Sequence, residues 1–346
     1  MKKYLFATML LLLFSCERYK YHTGHFPHEV INFFAVNSQY NDFNSTAPFI
    51  FYRHFLIFSS DRNSAGGNFD LVGEKMFIDW SKTKGTLNIE IDHFDDTFDY
   101  FSGVLDTINS PCDELGPYCF SFQKEISYSE ILRADLVFYA NNCEGNYDIQ
   151  FLYCELDVID GASYANIKAN QSIEFLNSTT NDIYPSLFGE EFFYQDEYGV
   201  DISKIKKIIF SSDRDGSFDI YEVSLPSGSE LINTLKFETS LPTTKMALSS
   251  QYNDNCPFVN GKLLVFASDR PGGFGGYDLY YSEFKNGNWM APKNFGERIN
   301  TEYDEFRPIT MHLWEFENNL MIFSSNRPGG KGGFDLYYTG IPQMIR

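Results

Sequence analysis

The sequence predicts an all-β protein, a β-propeller built of four-stranded antiparallel blades. Two recurring phrases and the turns around them carry that prediction. The first phrase runs Phe266-Ala-Ser-Asp-Arg-Pro-Gly-Gly-Phe-Gly-Gly-Tyr-Asp-Leu-Tyr280, an apolar run, a polar corner, a glycine reversal and a second apolar run. It returns at Phe323 to Tyr337, at Phe58 to Leu71, at Phe210 to Tyr221 and, in weaker form, at Phe138 to Ile149. Apolar runs joined by such a reversal are a β-hairpin signal. The second phrase precedes each hairpin and ends in a carboxylate: Asn37 to Asp42, Asn109 to Glu114, Asn177 to Asp182, Ser249 to Asp254 and Asn300 to Glu305. Two phrases returning in one order five times identify a repeat architecture.

Composition agrees. The chain has 346 residues, and its 35 Phe and 23 Tyr favour strands and supply a large core. The net charge of -20 repels phosphate backbones and argues against nucleic acid as a partner.

Taken in order, the chain opens with a targeting segment, residues 1–15. Lys2 and Lys3 precede an apolar run, Tyr4 to Phe14, that is too short to span a bilayer. Leu13-Phe-Ser-Cys16 resembles a bacterial lipoprotein box, which makes Cys16 the expected lipidation site. Residues 16–28 then form a linker and residues 29–346 a single propeller domain. The resulting expectation is a cell-envelope lipoprotein, most simply of the outer membrane, held by its lipid alone. That compartment lets disulfides persist. Of Cys112, Cys119, Cys143, Cys154 and Cys256, four fall in the second unit, where pairing is expected, and Cys112 and Cys143 would lie on neighbouring loops.

The fourth unit reads most cleanly. A strand from Pro257 turns at Asn260-Gly-Lys262, a second runs from Leu263 to Ser268, and a third from Tyr277 to Phe284. Asn286-Gly-Asn288 then turns into a fourth strand at Trp289, and Asn-Gly suits such two-residue turns. Insertions lengthen the first three units, including Asp92 to Asp106 and Tyr194 to Lys204. The fifth unit stops after its third strand, so Glu29 to Phe34 is expected to complete it and close the ring. Five blades is the expected number, with six as the alternative if an insertion hides a divergent repeat.

The string Trp289, Pro292, Asn294-Phe-Gly296, Ile299-Asn-Thr301, Tyr303-Asp-Glu305, Phe323-Ser-Ser325, Arg327-Pro-Gly-Gly330 and Phe334-Asp-Leu-Tyr337 resembles the TolB-type, WD-like propeller repeat. The second unit departs from it, with Asn141-Asn-Cys143 at the Ser-Asp-Arg corner. The resemblance implies a protein-binding or scaffold module with envelope proteins as partners. A glycan-binding protein, or a propeller glycosidase or lyase, is the alternative.

In a propeller the two phrases open on one face. That face should gather Asp42, Glu114, Asp182, Asp254 and Glu305 beside Arg62, Arg214, Arg270 and Arg327, a candidate binding face. Residues present in every blade are first of all tie points between loops, since catalysis needs a few unlike groups at one place. No catalytic set stands out. Asp213, Asp215 and Asp219 surround a glycine and form a weak calcium candidate that lacks the distal Glu of an EF-hand. No other cofactor is expected. His22, His25 and His28 are a weaker metal candidate still. For sugar stacking, the insertions offer Tyr100, Phe101, Tyr194 and Tyr198.

Overall fold

The computed structural model describes residues 20–50, 53–93, 100–127, 130–159, 162–194 and 200–344. Among these residues the strands form five antiparallel sheets, one per repeat. A short strand β1 (Ile31–Asn32) comes first in sequence but belongs to the last blade. Blade 1 holds β2 (Asp42–Thr46), β4 (Arg53–Ser60), β5 (Asp70–Ser81) and β6 (Thr86–His93), with β3 (Phe49–Ile50) also on β4. Blade 2 is β7 (Glu114–Ser127), β8 (Glu130–Asn141), β9 (Asp148–Ile159) and β10 (Ala162–Ser172). Blade 3 is β11 (Asp182–Phe188), β12 (Lys207–Ser212), β13 (Asp219–Ser224) and β14 (Thr243–Lys245).

Blade 4 is β15 (Asp254–Asn260), β16 (Leu263–Ser268), β17 (Asp278–Lys285) and β18 (Asn288–Trp289), with β19 (Lys293–Asn294) also on β17. The pairing of Lys285 with Asn288 leaves Asn286-Gly287 as a two-residue turn, both residues at positive φ as that turn type requires. Blade 5 is β20 (Glu305–Met311), β21 (Asn319–Ser325), β22 (Asp335–Ile341) and β1. The N-terminal strand closes the ring as expected, with Ile31 opposite Tyr338 and Asn32 opposite Tyr337.

The insertions hide no sixth blade. The first contributes the end of β6 and a helix α1 (Tyr100–Ile108), whose buried face of Tyr100, Phe101, Val104, Leu105 and Ile108 packs beside blades 1 and 2. A second helix, α2 (Leu231–Phe237), bridges the outer strands of blade 3. Ahead of β1, Gly24 bridges Phe316, and Phe26 stacks on the Phe316 ring at 4.1 Å. The end of the expected linker is therefore laid against blade 5. Cys16 lies outside the described residues.

One distortion recurs in every blade. Two residues after its opening carboxylate, each inner strand has a left-handed residue: Asn44, Gly116, Tyr184, Cys256 and Arg307. The register slips at that point in all five, as at a β-bulge. Positive φ strains any residue but glycine, so repeating it in every blade shows that the ring geometry requires it. The bulge brings five unlike residues to the axis.

Candidate functional site

The upper face, where both phrases open, is held together by three repeated ties. In the first, the leading residue of each phrase imitates a strand. Asn37, Asn109, Asn177 and Asn300 each accept a backbone N–H from the previous blade and donate back to a carbonyl of the same residue. Ser249 does the same with its hydroxyl. The ring-closing copy is Asn37 on Leu336, across the seam between blades 5 and 1.

The second tie pairs an amide with an acid. Asn41 donates to Asp61, Asn181 to Asp213 and Asn253 to Asp269, each through its side chain and its backbone N–H. Blades 2 and 5 exchange the two chemistries: Asn142 donates to Asp113, and Asn326 to Asp304. Every blade thus keeps one donor amide and one carboxylate, on either loop. Two amides or two acids could not satisfy each other this way.

The third tie is ionic. Arg62 meets Asp42 at 2.6 Å, Arg214 meets Asp182 at 2.6 Å, and Arg327 meets Glu305 at 2.8 Å. Arg270 pairs with Asp254 in the same way. Each guanidinium also donates to a carbonyl of the incoming loop (Val36, Leu176, Leu248 or Ile299) and lies about 5 Å over an aromatic ring. Such charge-assisted, ring-stacked arginines order loops well. The carboxylates are buried and engaged by the loops.

Blade 2 lacks the arginine. Its ladder aligns Tyr139, one residue past the expected Phe138, with Phe58, and so places Cys143 where the other blades have Arg. Cys143 forms a disulfide with Cys112, Cα–Cα 5.4 Å, joining the same two loops covalently. Glu114 remains buried with no cation, and Ser110 gives it an N–H and an O–H. Burial pushes its carboxyl up to about 7 against those hydrogen bonds, and Asp70 and Asp113 add to the rise.

Among the described residues, side chains from several blades meet at the axis. Tyr184 lies on Gly116, where any Cβ would overlap its ring. Asn44 donates to the Tyr184 hydroxyl at 3.1 Å. Arg307 crosses from blade 5 to the carbonyls of Pro257 and Pro117, both at 3.1 Å. Above this layer Phe43, Leu115, Ile183 and Phe306 pack with half-buried rings from neighbouring hairpins. Below it, the blade 3 insertion sends Tyr194 inward to pack tilted against Tyr118 and edge-on against Phe258 and to bond Thr46.

This placement corrects the expected sugar platforms. Tyr100 and Phe101 are buried in helix α1, Tyr194 is buried under the axis, and Tyr198 lies outside the described residues. Exposed rings occur elsewhere on the upper face. Tyr252 is 38% exposed, Tyr303 36% and Phe274 46%. Tyr252 and Tyr303 hold one position of the second phrase, occupied by Tyr40 in blade 1 and by Cys112 and Thr180 in blades 2 and 3. Phe274 tops the glycine loop of blade 4, which closes down onto the Tyr303 turn because Gly275 brings no Cβ against the carbonyls of Thr301 and Tyr303. In blade 5 Lys331 takes the Phe274 position, reaching 5.9 Å over the exposed Phe34 ring. The rings form an arc over blades 4, 5 and 1.

The calcium candidates are engaged by protein groups. Asp213 accepts from Asn181, Asp215 from the Tyr221 hydroxyl, and Asp219 from Lys245. Among the described residues no group of three or more His, Cys, Asp or Glu converges to hold a metal, and His25 instead packs on Trp80.

No family model matches the chain, and no curated protein matches it by sequence. Solved structures do match. A glycoside hydrolase superposes with TM-score 0.52 at 6% identity, over 93% of this chain and 94% of its own. The BT0996–RGII complex gives 0.51 at 5%, with the same coverage. A putative glycoside hydrolase from Parabacteroides distasonis aligns at 0.46 and 11% identity, over 95% and 96% of the two chains. The likeness is in the fold.

These findings overturn the TolB-type, WD-like resemblance and the scaffold function drawn from it. The physical reason lies in the ties. The strings that carried the resemblance are the groups that fasten one blade to the next, and any ring of such blades has use for them.

Proposed function

We propose that this protein binds glycans, and that the binding surface is the aromatic arc of Tyr252, Phe274, Tyr303, Phe34 and Tyr40 on the upper face. The observation that carries the reading is the exposure of Tyr252, Phe274 and Tyr303 on one face, over blades 4 and 5. Exposed rings gathered on one side of a soluble domain mark a binding surface. A sugar lays its C–H face on such rings, while hydroxyl, amide and carboxylate groups between them take up its O–H groups. The glycoside-hydrolase name of the structure that superposes at TM-score 0.52 supports the ligand class.

The net charge of -20 disfavours a polyanionic ligand and points to a neutral saccharide. Glycoside cleavage by the common route needs two carboxyl groups facing the ligand. Asp42, Glu114, Asp182, Asp254 and Glu305 are buried and occupied by the loops, so we read the protein as a binder. Lipidation at Cys16 would hold the binder at the envelope membrane.

The test is a glycan array with the full chain, followed by calorimetry on Tyr252→Ala and Tyr303→Ala and by a hydrolase panel. Binding of a neutral oligosaccharide that weakens roughly tenfold or more in either variant is the expected result, since one lost ring contact is worth about 1–1.5 kcal/mol. An array without hits, or affinity that ignores both substitutions, would overturn the reading. Hydrolysis of the bound glycan would replace a binder with an enzyme.

A further inference from the structure

The arginine at the axis has no counter-charge. Arg307 is fully buried, and among the described residues no carboxylate forms an ion pair with it. The groups that act on it most strongly are Cys256, Tyr184, Tyr194 and Tyr118, one thiol and three phenols. Burial raises all four well above neutrality, so none is an anion there. A guanidinium has five N–H donors. Pro257 O and Pro117 O occupy two, and Nε has no partner.

An isolated buried cation costs several kcal/mol or more, and carbonyl dipoles and the Tyr184 ring at 5.3 Å offset only part of that. The inner strands, Arg307's own β20 among them, carry more unpaired polar atoms. Ser45 Oγ on β2 and Thr310 Oγ1 on β20 are buried without partners, and both can donate. Asn44 Oδ1 is an unpaired acceptor beside them, and turning that amide would present N–H groups in its place.

We propose that the propeller axis binds one small monovalent anion, chloride, against Arg307. An anion rather than water answers both deficits, since it accepts several donors and also cancels the charge. A halide fits the layer better than phosphate or sulfate, because the Tyr184 ring and the carbonyls of Pro117 and Pro257 already crowd the guanidinium. The site is independent of the glycan surface, which lies on the exposed loops above. Its role is to fasten blade 5 to blades 2, 3 and 4.

The full chain in detergent would be melted while gluconate is replaced by chloride at constant ionic strength, and crystals would be soaked in bromide. The expected midpoint rises by roughly 1–3 °C for each tenfold in chloride once the site is filling, and Arg307→Met removes that rise. Bromide should give an anomalous peak within hydrogen-bonding distance of the guanidinium. A peak at Arg307 supports the site even if Arg307→Met fails to fold. Absence of the peak overturns it, as does a chloride effect that persists undiminished in a folded Arg307→Met protein.

Discussion

Blades 2 and 5 join the same two loops by different means. Both open with Glu where the other three have Asp, and both exchange the acid and the amide of the neighbouring tie. In blade 5 the buried Glu305 is answered by Arg327 at 2.8 Å. In blade 2 the loops are bridged by Cys112–Cys143, and Glu114 is left to Ser110. A covalent bridge holds geometry as firmly as an ion pair, but it brings no charge. The acid it leaves behind therefore takes up a proton near neutrality; burial raises Glu305 as well, but the larger rise falls in the disulfide-bridged blade.

Three experiments would break or sharpen that contrast. The largest effect belongs to blade 5. Arg327→Met leaves Glu305 buried without its cation and should cost about 3–5 kcal/mol in urea unfolding. A loss below about 1 kcal/mol would mean that the arginine is dispensable and the contrast empty.

Opening the disulfide with Cys112→Ser and Cys143→Ser frees a loop of sequence separation 31 and should cost about 3–4 kcal/mol by loop entropy. The same pair of variants should leave Arg327→Met no worse than additive, since the two ties lie in separate blades.

The third effect is a slope. The Glu114 carboxyl is at about 7 when folded, against 4.5 for the free group. Between those values the folded chain keeps a proton that the unfolded chain has lost, so stability falls as pH rises through the window and levels off above it. Glu114→Gln should remove that slope and stabilise the protein at pH 8 by on the order of 2–3 kcal/mol. Parallel stability curves for the two proteins between pH 4.5 and 8 would show that Glu114 ionises freely.

The blades were legible because turn chemistry is local. Asn-Gly pairs, glycine reversals and the carboxylate opening each inner strand sit beside one another in the chain. So does the missing fourth strand of the last repeat, which pointed to Glu29–Phe34. The axis was not legible. Asn44, Gly116, Tyr184, Cys256 and Arg307 share no residue type, and only their common offset of two from the phrase carboxylate marks them. Tyr194 was offered as an exposed ring, yet the insertion turns it inward, a choice made by packing against Tyr118 and Phe258 from other blades. The aromatic arc had a signal within the repeat, tyrosine in three copies of a position that needs none for the tie. Phe138 for Tyr139 was a slip of one residue in the unit whose corner had lost its arginine.

Ring closure sets an order on biosynthesis. The two residues of β1 are made near the start of the chain, and their partners Tyr337 and Tyr338 near its end. While the ribosome is still at work, blade 5 is missing and β1 has nothing to pair with. Blades 1 to 4 can each form as local sheets, but the seam across Asn37 and Leu336 waits for blade 5 to emerge. Contacts this far apart in sequence are slow to form. A nascent or truncated copy would carry two open strand edges, the surface on which chains join one another and quality control acts. The closing strand thus makes the presence of blade 5 a condition for hiding its edges.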